Sequence, residues 1–172
     1  MKKTYLLAAA ALSAIFLIFW QASEKNRPAE TTLADCLKNG AFDEIAARKY
    51  GADEYGMRKY VLAFLKRGSG RPTDAKKARE LQAAHLRNID RMAAEGRLVL
   101  AGPFLDDGDL RGIYIFNVAT IAEAAELTRS DPAIQAGSLV MELKEWYGPA
   151  ALMAVNDIHP MLSRESIRGD EN

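Results

Sequence analysis

The sequence predicts an α+β fold, a ferredoxin-like β-α-β-β-α-β sandwich built on one antiparallel sheet. Three observations carry the prediction. Four apolar runs of strand length recur along the chain, and an Asp-Asp-Gly-Asp turn joins the middle two. Two amphipathic segments of helix length separate the first run from the second and the third from the fourth. The 172 residues are 49% hydrophobic and 27% charged, which suits one packed domain with extra segments and excludes wholesale disorder.

Residues 1–28 read as an address. Lys2 and Lys3 precede an apolar run from Tyr5 to Trp20, the pattern of an export signal or an uncleaved N-terminal membrane anchor. Small residues are missing at a good cleavage site, and the run falls short of the ~20 apolar residues that span a bilayer. An anchor through residues 5–22 therefore borrows Gln21 and Ala22 at the interface. Either version holds the N-terminus inside and places the rest in the periplasm or another extracytoplasmic space. Residues 29–56 form a linker and a short helix, with Phe42, Ile45, Ala46 and Tyr50 on one stripe and Gly51 as its stop. Cys36 reads as a free thiol, since a lone cysteine permits no internal disulfide and no multi-cysteine metal site.

The domain proper spans 57–148. Tyr60 to Leu65 is the first strand. Thr73 caps a helix from about Asp74 to Glu95, whose apolar stripe holds Ala78, Leu81, His85, Ile89 and Met92 and which Gly96 ends. Leu98 to Ala101 is the second strand, Asp106 to Asp109 the hairpin turn, and Gly112 to Val118 the third strand. Thr120 and Glu123 have the spacing of a capping box and open a helix to about Arg129. Asp131-Pro132 starts a short turn, and Leu139 to Trp146 is the fourth strand. Residues 149–172 are a C-terminal tail, with His159-Pro160 as a turn.

Strands one and three are apolar on both faces, with Tyr60, Leu62 and Phe64 opposite Val61, Ala63 and Leu65. Two helices cover one face only, so the other needs a cover: a second copy of the chain, making a homodimer, or the C-terminal tail. Lys plus Arg equals Asp plus Glu at 23 each, which gives a nucleic-acid partner no support. With two histidines, His85 and His159, a histidine-rich metal centre is excluded, and no residue pattern asks for a cofactor.

Taken from the residues alone, His85 is a hydrogen-bonded core histidine or an acid–base group. Asp131 before Pro132 is an N-cap or that histidine's partner. Asp106, Asp107 and Asp109 lack the spacing of a calcium loop and solvate the hairpin. Trp146 and Tyr147 end a strand, as core or as a cavity lining; Gly102-Pro103 reads as a strand terminator.

Ala84-His85-Leu86, the run from Gly96 to Phe104, Ser130-Asp131-Pro132 and Ala136-Gly137 stand in one order along Lys59 to Trp146, and this stretch resembles the YCII-related family. The resemblance implies a dimeric α/β barrel, a homodimer with one cavity per subunit, and a His–Asp active site at His85 and Asp131. It implies a small-molecule ligand whose identity is open. Among similar proteins are a dechlorinating enzyme of chlorinated hydroxyquinones and the muconolactone isomerases, which points to isomerase- or lyase-like proton transfer on a small, aromatic substrate. The alternative is a non-catalytic homodimeric binding module of the cell envelope. A haem reading, with His85 as axial ligand, finds no second signal in the sequence.

Overall fold

The computed structural model describes residues 40–164. The elements are α1 (Glu44–Tyr50), β1 (Met57–Arg67), α2 (Ala75–Ala94), β2 (Leu98–Pro103), β3 (Leu110–Phe116), α3 (Ile121–Arg129), α4 (Pro132–Gln135), β4 (Leu139–Pro149), a 3-10 turn (Ala150–Ala154) and α5 (Val155–Leu162). The chain divides into two units at Ala46/Ala47, and the sheet and its helices belong to the second.

Local signals place most boundaries. Gly51, at φ +67°, stops α1, and Gly96, at φ +66°, stops α2. The cap of α2 is Asp74, not Thr73: its carboxylate accepts from Lys77 N–H, three residues on. Thr120 and Glu123 form the reciprocal capping box of α3. Strands β1 and β4 run longer than their apolar cores, because backbone pairing continues from Met57↔Pro149 to Arg67↔Leu139 through exposed polar residues.

The sheet order is β2-β3-β1-β4, all antiparallel, which is the ferredoxin-like topology. The barrel expectation is corrected. The sheet is open, with β2 and β4 as its edges and the other two strands between them. Closure requires the two edges to pair, and barrels filled by side chains take about eight strands.

The homodimer expected from the second apolar face is corrected as well. One face carries Val61, Ala63, Leu65, Tyr114 and Phe116 beneath Met92 of α2 and Ala124 of α3. The other carries Tyr60, Val99 and Ile115, and the chain covers these itself with Leu152 and Met153 of the 3-10 turn. Asn156 of α5 fastens this cover by donating to Leu98 O at 2.8 Å, and Lys49 fastens it from α1 by pairing with Asp157 at 2.9 Å. Towards β4 the same face becomes polar, where Lys66 and Lys144 flank Glu142. Tail and charge together cover much of this face among the described residues. His159-Pro160, expected as a turn, lies inside α5.

The anchor and its location are corrected on a further point. Among the described residues no helix is long and apolar enough to cross a membrane. Residues 5–22, on which the signal, the anchor and the periplasmic placement rested, lie outside the described residues, as does Cys36.

Candidate active site

A helix stripe and a helix cap bring the site together. Leu81, His85, Ile89 and Met92 repeat along α2 at three- and four-residue steps, so His85 points at the sheet and is 7% exposed. Asp131 stands between α3 and α4, in extended backbone at φ −80°, ψ 120°, and its carboxylate accepts from Ala133 N–H at 2.8 Å. Pro132 at the first helical position completes an ordinary N-cap. The turn is clipped to α2 by Arg91, which donates to Asn88 Oδ1 at 2.9 Å and to Ser130 Oγ at 3.0 Å.

This clip sets Asp131 against His85. His85 Nδ1 lies 2.9 Å from both Asp131 oxygens, and the aspartate is wholly buried. The two readings of Asp131 are therefore both true: one carboxylate caps α4 and holds the imidazole. A buried charge costs several kcal/mol unless its lone pairs are filled, and here the ring N–H and Ala133 N–H fill them. With Asp131 ionised, Nδ1 carries the hydrogen and Nε2 the lone pair.

A third residue completes the line. Tyr114 Oη lies 3.2 Å from His85 Nε2, and the two rings are stacked at a centroid distance of 6.2 Å. Tyr114 is 2% exposed, and burial, with the charge of Asp131 second, pushes its phenol well above the ordinary value. Strand register sets its place: Tyr114 pairs with Ala63 of β1 and Ala101 of β2, two small residues that leave room for the ring. In the sequence Tyr114 falls within the third strand, Gly112 to Val118, with nothing in the apolar pattern to set it apart. The available signal was its hydroxyl, because a tyrosine on the inward face of a strand needs a partner for its O–H.

His85 and Tyr114 both line a cavity of about 900 Å³ between α2, β2 and α5. Its walls are largely apolar, from Leu81, Ile89, Leu98 and Leu100, with Arg71 and Arg111 among its polar side chains. His159 reaches the same cavity from α5, and Gly102-Pro103 forms part of the wall while staying in the strand. Trp146 and Tyr147 do not join it. Trp146 tilts over Tyr60 at 5.8 Å, and the Tyr147 hydroxyl donates to Asp53, which precedes β1. Asp106, Asp107 and Asp109 are exposed, and Arg111 gathers that turn through the carbonyls of Asp106 and Gly108.

Both imidazole nitrogens have hydrogen-bond partners, Nδ1 in Asp131 and Nε2 in Tyr114. Among the described residues no group of three or more His, Cys, Asp or Glu is arranged to hold a metal ion.

The chain is similar to known proteins over part of its length. The uncharacterized protein YjpA of Bacillus subtilis (strain 168) is 39% identical over 64 residues, covering 37% of this chain and 73% of that protein. A solved structure of 5-chloro-2-hydroxyhydroquinone dehydrochlorinase (TftG) from Burkholderia phenoliruptrix AC1100, in complex with 2,5-dihydroxybenzoquinone, is similar with a TM-score of 0.39 and 21% identity. It covers 50% of this chain and 92% of its own. The model of the YCII-related domain matches residues 62–147, half of the chain and nearly all of the sheet, and includes both His85 and Asp131. The chain belongs to the YCII-related domain family.

Proposed function

We propose that the domain is an acid–base enzyme of isomerase or lyase type, in which His85 takes a proton from a small substrate and returns it. One observation carries the reading: a wholly buried carboxylate sits 2.9 Å from Nδ1 of a histidine whose ring lines the cavity. Asp131 is the positioning residue. It selects the tautomer, orients the ring and stabilises the imidazolium that forms when Nε2 gains a proton. No serine or cysteine stands in hydrogen-bond contact with His85 among the described residues, so general acid–base chemistry is favoured over a covalent intermediate.

The test needs no substrate. In ¹⁵N-edited histidine spectra of the wild type, His85 should be a single Nδ1–H tautomer, and Asp131→Asn should give a mixture. An Nε2–H tautomer in the wild type, or spectra indifferent to Asp131→Asn, overturns the reading. Once a substrate is found, His85→Gln should abolish turnover with the fold retained, and Asp131→Asn should slow it by ~10²–10⁴-fold.

A further inference from the structure

A second cavity, of about 560 Å³, opens at the end of the sheet where β1 begins and β3 stops. No residue lines both this cavity and the one at His85. Three cationic side chains line it: Arg58 and Lys59 from β1, and Arg97 from the turn between α2 and β2. Arg58 and Lys59 precede the residues matched by the family model.

Asn117, just past β3, holds the two arginines in one frame. Its Oδ1 accepts from Arg58 Nη2 at 2.6 Å, and its Nδ2 donates to Gly96 O at 2.9 Å. Its backbone N–H donates to Arg97 O at 2.9 Å. Arg58 Nη1 donates to Tyr50 O at 2.6 Å, so this guanidinium is fixed by neutral acceptors and keeps its charge. The Nε–H groups of Arg58 and Arg97 are buried without an acceptor among the described residues. An unpaired buried donor is costly, and two in one cluster mark it as short of acceptors.

The carboxylates at the same cavity are occupied elsewhere. Asp53 accepts from the N–H groups of Tyr55 and Met57 and from the Tyr147 hydroxyl. Glu123 accepts from the N–H groups of Ala119 and Thr120 and from the Thr120 hydroxyl, with Arg97 acting on it as a nearby charge. Donors are thus in surplus, and a ligand here must bring acceptors and negative charge.

We propose that this cavity binds the phosphate group of a small molecule, independently of the acid–base site. A phosphate offers about two negative charges and three acceptor oxygens pointing in different directions, which suits two guanidinium groups and an ammonium together. A carboxylate offers one charge and two oxygens in a plane. The cavity is larger than a phosphate alone, and Met57, Val118 and the Tyr147 ring give the organic part an apolar wall.

The probe is inorganic phosphate, with acetate as its counterpart, titrated calorimetrically into the full chain in a zwitterionic buffer. Phosphate should bind with a Kd of ~1 mM or below, and acetate at equal ionic strength at least ~10-fold more weakly. In ¹⁵N-edited spectra phosphate should shift the Nε–H signals of Arg58 and Arg97. Those of Arg91 and Arg129, paired with Glu95 and Glu126, should stay in place. Arg97→Gln should weaken phosphate binding at least ~10-fold, whereas Arg71→Gln in the wall of the other cavity should leave it unchanged. Absent phosphate binding, equal binding of acetate, unmoved Arg58 and Arg97 signals, or an affinity that survives Arg97→Gln overturns the inference. Equal losses in Arg97→Gln and Arg71→Gln also overturn it, as a general attraction to positive charge. The spectra of the wild type decide the matter if Arg97→Gln fails to fold.

Discussion

The two faces of the sheet are both apolar along β1, yet they are finished differently. The face under α2 and α3 buries His85, Asn88, Thr128 and Asp131, the buried polar side chains among the described residues. The face under the C-terminal segment has an aliphatic and aromatic core, Tyr60, Val99 and Ile115 with Leu152 and Met153 above them. The family match ends at residue 147, before the segment that covers the second face. The contrast separates two tasks. Buried polar groups are tolerated where each has a partner, and the cavity reaches His85 among the four, whereas a plain apolar cover contributes stability wherever area is available. The cover is not wholly inert, since α5 also lends His159 to the wall of the cavity.

The largest break in the comparison should come from Asp131→Ala. It removes the cap of α4 and the ring partner together, which amounts to a loss of about 3 kcal/mol. Urea unfolding should show it as a lower midpoint with unchanged slope, and Asp131→Ser, which restores only the cap, should recover about 1 kcal/mol. Full recovery by serine would mean that the His85 bond adds nothing to stability.

On the other face, Leu152→Ala should cost about 1–2 kcal/mol, less than a fully buried leucine because the side chain is half-buried. The ¹⁵N resonances of His85 should stay in place, because Leu152 packs on the opposite side of the sheet. A shift in those resonances would show that the two faces are coupled.

The smallest effect belongs to Glu142, at the polar end of the second face. Its bond with Lys144, and next that with Lys66, lowers its carboxyl from 4.5 to about 2. A carboxylate whose folded pKa is depressed stabilises above its unfolded value, and the contribution fades as pH falls towards the folded one. The melting temperature should therefore drop between pH 4.5 and about 2 somewhat less in Glu142→Gln than in the wild type. Identical acid limbs would mark the three charges as solvated neighbours without mutual effect.

Much of this was legible beforehand, and the misses have physical causes. The capping box at Thr120 and the stops at Gly51 and Gly96 follow from local rules that a few neighbouring residues satisfy. Thr73 and Asp74 are both able caps, and backbone geometry chose between them. The sequence singles out His85 and Asp131, but it presents the cap and the histidine partner as alternatives for Asp131. The carboxylate has two oxygens and does both. Tyr114 is hidden in the sequence because its ring obeys the apolar pattern of the strand, and a pattern of hydrophobicity does not see the hydroxyl.

By itself the sequence determined the elements, their order and the apolar faces of each strand, since these depend on periodicity and on caps within a turn of one another. Only the tertiary structure decided three things: that the sheet stays open, that residues 150–154 cover the second face, and that Tyr114 holds His85 Nε2. The reason is the same in each case. Covering a face depends on area delivered by a segment ninety residues away from Tyr60, and ownership of a buried hydrogen bond depends on distances of a few tenths of an ångström between side chains on different elements.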